Sequence, residues 1–278
     1  MIIDFHTHIV PPSIKERRES LVSRDPCFRD LYSDPKAKMA TAEDLIESME
    51  RDGIDVSVVT NIGWTRPELC HETNDYIMES VAKYPKRLIG FCTIVPQSND
   101  APLEIERCAR GGLRGVGELM PHIQGFDLGE KALMAPIVEA AKEHGMIILT
   151  HSSEPVGHIY PGKGNVFPGM LYRFIAAFPD APIVCAHWGG GLPFYALMPE
   201  VGEALKNVYF DTAASPFLYK YDVFLRVAEL VGPGKILFGS DFPLITQIRI
   251  IKRLRDLPMP DESKALILGE NAQRLLGL

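Results

Sequence analysis

Eight short apolar runs, each followed by an amphipathic stretch, set the strongest constraint on how this chain folds. The runs fall at residues 1–5, 56–62, 88–95, 113–119, 146–150, 182–186, 208–210 and 236–238. Their length and their Val, Ile and Phe content favour strands over helices. Several are apolar at successive positions, as in a parallel strand covered on both faces. The segments between them carry helix signals. Thr41, with Asp44 three residues on, makes a capping-box-like start, and Leu45, Ile46 and Met49 supply an apolar stripe that Gly53 ends. Further helices are expected over residues 67–84, 101–110, 129–144, 168–178, 192–205, 221–230, 243–255 and 261–276. Eight strands alternating with eight helices, plus one helix at the end, predict an α/β fold, a (β/α)8 TIM barrel forming one domain over residues 1–278. An open doubly wound sheet is the alternative. Residues 9–40 are the longest irregular stretch, a loop inserted after strand 1 that distorts the barrel and forms either a lid over the site or an ordered surface excursion. The charged cluster at residues 15–19 is its one candidate for a short helix, and residues 152–167 form a second long loop rich in Gly and Pro.

Charge narrows the partners. Lys and Arg number 29 against 36 Asp and Glu, a net charge of −7. That field repels phosphates and disfavours a nucleic-acid or anionic-membrane binder. No segment approaches the ~18 consecutive apolar residues of a membrane span. The five cysteines are widely spaced and include no CxxC, which fits a reducing compartment. With no leader-like segment at the N-terminus, a cytoplasmic location is expected. No GxGxxG follows a strand, so a dinucleotide cofactor is disfavoured.

Polar residues of the ligating kind gather at the ends of the predicted strands. The first run reads Ile3-Asp4-Phe5-His6-Thr7-His8. Strand alternation places Asp4, His6 and His8 on one face, with the two imidazoles about 7 Å apart along the backbone. Such a pair suits zinc or another borderline metal. Taken alone, the pair could equally be two unrelated histidines. His151 ends the fifth run, His187 the sixth, Asp241 follows the eighth and Glu118 sits near the end of the fourth. Singly, each has a structural explanation: a buried histidine, a helix cap or an ion pair. In a parallel barrel, however, the carboxyl ends of all strands meet at one mouth. Four histidines and a carboxylate buried there together are costly without a shared cation. A divalent metal is therefore expected, zinc first and manganese second, as one ion or two.

The substrate residues expected from position are Trp64 and Arg66 after strand 2, His158 in the Gly/Pro loop and Trp188 beside His187. Arg66 could hold a substrate carboxylate. His122 lies in the loop after strand 4 with no assigned role, and Gly189-Gly190-Gly191 reads as a tight turn.

These residues resemble the amidohydrolase superfamily, in its amidohydrolase-related branch, which includes hydrolases and enzymes of the aminocarboxymuconate-semialdehyde decarboxylase type. The likeness runs through IDFHTHIVPP, HSSEPVGHIYPGKG, AHWGGG, FGSDFP and GENAQRLLGL, covering essentially the whole chain. It implies metal binding by His6, His8, His151 and Asp241, with Asp241 also handling the proton of an attacking water. It implies that His187 is a second-metal ligand or an acid/base group. Glu118 in GVGEL is similar to the bridging glutamate of some two-metal members. A homodimer is a further implication of the resemblance.

The function expected from this site is a metal-dependent hydrolase that cleaves an amide, ester or lactone in a small carboxylated substrate. A divalent ion lowers the pKa of bound water from ~15.7 to about 7, giving hydroxide at neutral pH. Asp241 would take the water proton and His187 would stabilise the oxyanion or shuttle a proton. The first alternative is a metal-dependent decarboxylase of an aromatic or muconate-type acid. The second is a protein that binds metal or metabolite without turnover.

Overall fold

The computed structural model describes residues 1–278. Eight parallel strands stand in sequence order: β1 Ile3–His8, β2 Val56–Thr60, β3 Leu88–Cys92, β4 Gly115–Leu119, β5 Ile147–Thr150, β6 Ile183–Cys185, β7 Val208–Asp211 and β8 Ile236–Leu237. Each pairs in parallel with the next. The ring closes between β1 and the chain just after β8. The Phe5 amide donates to the Phe238 carbonyl (2.7 Å), Asp241 to that of His6 (2.9 Å) and His8 to that of Phe242 (2.8 Å). This is the predicted (β/α)8 barrel rather than an open sheet.

Two apolar layers hold it. Ile3, Phe5, Val58, Phe91, Leu149 and Val184 fill the lower barrel interior. A larger cluster, including Leu45, Met49, Ile105, Ile137, Phe174 and Ile250, packs the helices onto the outside of the strands. The helix Ala42–Asp52 has the expected capping box at Thr41 and Asp44, and Gly53 ends it in the left-handed conformation.

Three helices differ from expectation. The region 192–205 is not one helix. A glycine turn with positive φ at His187, Trp188 and Gly189–Gly191 runs into Pro193, and only Pro199–Ala204 is α-helical. The segment after β8 becomes helical only at Gln247, because Pro243 and Leu244 form a turn first. The last helix is divided by a wider turn into Asp261–Ala265 and Asn271–Leu276.

The insertion after β1 is folded rather than irregular. It contains helices Pro12–Glu16, Arg18–Arg24 and Pro26–Tyr32. Buried Asp25 caps the third by accepting from the Phe28 amide (2.9 Å), and it ties that helix to Thr65 through Thr65 N (3.0 Å) and Oγ1 (2.7 Å). Arg18 clamps the turn that follows, donating to the carbonyls of Tyr32, Asp34, Pro35 and Ala37 at 2.7–3.1 Å. The insertion therefore reaches the barrel mouth on a fixed path.

Candidate metal centre

Two register shifts aim the site. On β1, Asp4 pairs with Ser57 and Thr7 with Val59, so three steps on β1 match two on β2. On β4, Val116 pairs with Ile148 and Leu119 with Thr150, again three steps against two. Each strand carries one extra residue, a bulge that turns the following side chain. Phe5 and His6 are neighbours in sequence, yet both reach the barrel interior. Gly117, at φ +137°, allows the second bulge: a Cβ there would stand 2.1 Å from the Leu149 carbonyl oxygen.

The first bulge corrects the expectation that Asp4 shares a face with His6 and His8. Asp4 lies on the outer side, fully buried. It accepts from Ser240 Oγ (2.6 Å), Ser240 N (2.9 Å) and Gln247 Nε2 (2.8 Å). Burial pushes its pKa up to about 6, against the pull of those donors.

The other residues converge. His6 Nε2 and His8 Nε2 are 3.0 Å apart. Asp241 Oδ1 lies 3.2 Å from His8 Nε2 and 3.9 Å from His6 Nε2. Glu118 Oε2 lies 3.6 Å from His6 Nε2 and 3.7 Å from His8 Nε2. Its other oxygen is 3.4 Å from His187 Nε2 and 3.0 Å from His151 Nδ1. Two donor sets, His6–Glu118–His187 and His6–His8–Asp241, each keep all their ligand atoms within 4.8 Å of one another. His151 belongs to neither set. It stands beside Glu118 with Nε2 directed at the Lys163 carbonyl, 3.2 Å away.

Proton bookkeeping shows why this cluster fits a cation. His6 Nδ1 donates to Asp211 Oδ2 (2.7 Å) and His187 Nδ1 to the Ala213 carbonyl (3.2 Å), alongside the His151 Nε2 bond to Lys163. In each neutral ring the remaining nitrogen then presents a lone pair. Those three lone pairs point at Glu118, an acceptor. Acceptors facing acceptors in a buried site need positive charge between them. The titration behaviour says the same. Burial alone would lower the pKa of His6, but Asp211 and Glu118 outweigh it and hold it well above its usual value. Burial also opposes charge on His187, yet Glu118 pushes it up to about 9. Burial would raise both carboxylates, but the imidazoles hold Glu118 well below its usual range and Asp241 near 2. The site collects protons where a divalent ion can replace them. His8 Nδ1, buried and unpartnered, is a further polar atom without a protein partner here.

Above the cluster lies a cavity of ≈ 460 Å³, with His8, Glu118, His151, His187 and Asp241 at its floor. Tyr32, Met120, Tyr160, Phe217, Leu218 and Leu244 form much of its wall, and Lys36 and Lys38 stand at the rim. The insertion after β1 thus lines part of the cavity, through residues from Leu31 to Lys38.

A family model described as Amidohydrolase matches residues 3–278. The chain belongs to the amidohydrolase family. It is thereby an enzyme of the amidohydrolase superfamily. This amidohydrolase is 23% identical to the 2-amino-3-carboxymuconate-6-semialdehyde decarboxylase of Dictyostelium discoideum, over 99% of its own length and 91% of that protein's. It is 25% identical to the 6-methylsalicylic acid decarboxylase of Penicillium expansum, over 94% and 92%. The 5-carboxyvanillate decarboxylase of Novosphingobium aromaticivorans, solved with manganese and 4-hydroxy-3-methoxy-5-nitrobenzoic acid, superposes with a TM-score of 0.81. There the identity is 20%, covering 100% of this chain and 96% of that one. The two sequence relatives overturn the expectation of hydrolysis and favour its first alternative, because both are decarboxylases. The donor set had not distinguished the two reactions, since both use a divalent ion held at the strand ends. No helix of the amidohydrolase is long and apolar enough to cross a membrane.

The expected substrate residues divide. His158 lines the cavity. Trp64 does not: it is fully buried and stacked on Phe28 at 5.5 Å. Trp188 is also buried, donating to Ser215 Oγ (2.8 Å) and packed edge-on against Phe224. Arg66 is exposed and paired with Glu68 (3.0 Å) away from the cavity. Each follows a strand end, but its side chain turns outward. Sequence reasoning missed Asp211, Tyr160, Lys36 and Lys38. Asp211 was detectable, since it ends the run VYFD as His187 ends its own run.

Proposed function

We propose that this amidohydrolase is a metal-dependent decarboxylase acting on an aromatic or muconate-type carboxylic acid. The observation that carries the reading is the shared reaction of its two curated relatives, each matched over more than nine-tenths of its length. The cavity agrees: its ≈ 460 Å³ lies in the ordinary range for a small-molecule site. Its wall is largely apolar, suited to a ring or diene.

His6, His8, Asp241 and Glu118 would hold the divalent ion, with His151 alongside. Manganese takes precedence over zinc, because carboxylates share the donor set and a solved neighbour binds manganese. When bound, the ion supplies positive charge that holds the acid and stabilises the electron-rich form of the substrate. The protein supplies orientation and a proton. A C–H bond forms at the carbon bearing the carboxylate. The C–C bond to the carboxylate then breaks, its electron pair returns to the π system, and carbon dioxide leaves. His187 lines the cavity, and its Nδ1 is committed to the Ala213 carbonyl. Its Nε2, protonated in the imidazolium form that Glu118 favours, is therefore the atom placed to deliver the proton. Asp241 has no water proton to remove in this reaction; it would hold the ion together with His6 and His8. Lys36 and Lys38 draw the anionic substrate to the mouth of an acidic chain.

The test is release of carbon dioxide from hydroxylated benzoates and muconate-type acids by the manganese-loaded protein. His187→Asn lowers that release at least 100-fold while substrate binding persists, within the ~10²–10⁴ that general acid catalysis contributes. Unchanged release by the variant removes His187 from the proton-donor role.

A further inference from the structure

One carboxylate near the site has no part in the proposed ion binding. Glu154, at the start of the loop after β5, is 9% exposed. Its Oε2 accepts a hydrogen bond from the Tyr160 hydroxyl (3.1 Å), whereas Oε1 is buried without any partner. No guanidinium or ammonium pairs with it, and its charge acts on the hydroxyls of Tyr160 and Tyr219.

Tyr160 lines the substrate cavity. The Lys163 ammonium lies 5.7 Å from its ring centroid and the His158 ring centroid 5.3 Å from it. Lys163 is itself held, donating to the carbonyls of Val156 (2.7 Å) and His158 (2.9 Å). The loop therefore presents one phenol in one orientation. The hydrogen of that phenol is committed to Glu154. Its oxygen keeps acceptor capacity and no hydrogen to offer. Burial, followed by the Glu154 charge, holds the Tyr160 pKa above its usual value, so the group stays a phenol.

We infer that Tyr160, positioned by Glu154, is a specificity-determining residue that accepts a hydrogen bond from a hydroxyl or amino substituent on the substrate. The inference rests on the decarboxylase reading for its substrate class and assigns the residue that reads a donor substituent on that acid. The preferred acid carries a donor besides its carboxylate. A carboxylate or ether at that position meets only an electron-rich oxygen. A relay from Glu154 through Tyr160 to the substrate is a charge-assisted chain, stronger than a neutral pair.

The test is binding, measured calorimetrically on manganese-loaded protein with benzoate and with 2-, 3- and 4-hydroxybenzoate. Wild-type protein binds at least one hydroxy isomer more tightly than benzoate. Tyr160→Phe reduces that preference by about 5- to 10-fold, the scale of one hydrogen bond, and leaves benzoate affinity within twofold. Any contribution of the hydroxyl to the ion cancels in this comparison. Glu154→Gln keeps an acceptor for Tyr160 but removes the charge, and gives an intermediate loss. Equal weakening of all four ligands in Tyr160→Phe, or a preference that survives intact, overturns the inference. The decarboxylase reading fails separately, if these acids bind with the predicted preference yet no acid in the panel releases carbon dioxide.

Discussion

Asp211 Oδ2 accepts the Nδ1 proton of His6 at 2.7 Å, and both side chains are wholly buried. The same carboxylate accepts from the backbone amides of His187 (2.9 Å) and Ala213 (3.0 Å) through Oδ1. One residue at the end of β7 thus fixes the tautomer of His6 and the path of the chain into His187. Outer partners of this kind orient a metal-binding imidazole and raise its basicity. Asp211→Asn is expected to weaken manganese affinity about 10- to 100-fold, measured by competition with a chelator. Affinity equal to wild type would mean that His6 is oriented without it.

The rim lysines are expected to act on substrate capture rather than on chemistry. Lys15, Lys83, Lys206 and Lys264 all pair with carboxylates, whereas Lys36 and Lys38 do not. Lys36→Gln combined with Lys38→Gln should raise KM severalfold with little change in kcat. The difference should shrink as salt rises, because exposed charges are screened over about 10 Å at 0.1 M. A salt-independent rise in KM would point to a packing effect.

Much of the barrel was legible because its strands are short, apolar and regularly spaced, and because parallel strands deliver their ends to one mouth. His6, His8, Glu118, His187 and Asp241 could therefore be brought together before any coordinates. Asp4 was misplaced because the bulge between Asp4 and Thr7 breaks strict alternation, and no local residue type announces a bulge. Trp64, Arg66 and Trp188 were misjudged for a related reason. A position after a strand end does not fix which way a side chain turns, and the positive φ of Trp188 sends its ring into the wall. The choice of reaction was not legible in the site, since one donor set serves hydrolysis and decarboxylation alike, and the relatives favour the alternative over the main expectation.

Gly117 gives a direct test of the β4 bulge. Its φ of +137° and the 2.1 Å approach to the Leu149 carbonyl leave no room for a methyl group. Gly117→Ala is expected to destabilise the fold by at least about 1–3 kcal/mol, the range of a forced backbone strain, in urea unfolding. Loss of manganese affinity should accompany it, because Glu118 is the next residue. A variant as stable as wild type, with unchanged affinity, would contradict the bulge.

Acid sensitivity should trace in part to Glu104, which is remote from the ion site. It accepts from Asn74 (2.7 Å) and Arg107 (2.7 and 2.8 Å), and it lies 2.9 Å from His71. Burial opposes its charge, but these partners hold its pKa below the ordinary 4.5. A lowered carboxylate pKa stabilises the fold above the unfolded value, and that contribution is lost as pH falls through the folded value. Glu104→Gln should therefore be less stable than wild type at pH 7, with the gap closing below about pH 4 in thermal melts. A gap that stays constant across this range would assign the loss to packing alone.

The central claim is tested most directly by following one acid through chelator-treated, manganese-reloaded and His8→Ala protein while carbon dioxide is measured alongside substrate loss. One carbon dioxide per acid consumed in the reloaded protein, with neither change in the chelated protein or the variant, is the predicted result. Acid consumed with water added and no carbon dioxide, or turnover indifferent to the metal, would contradict it.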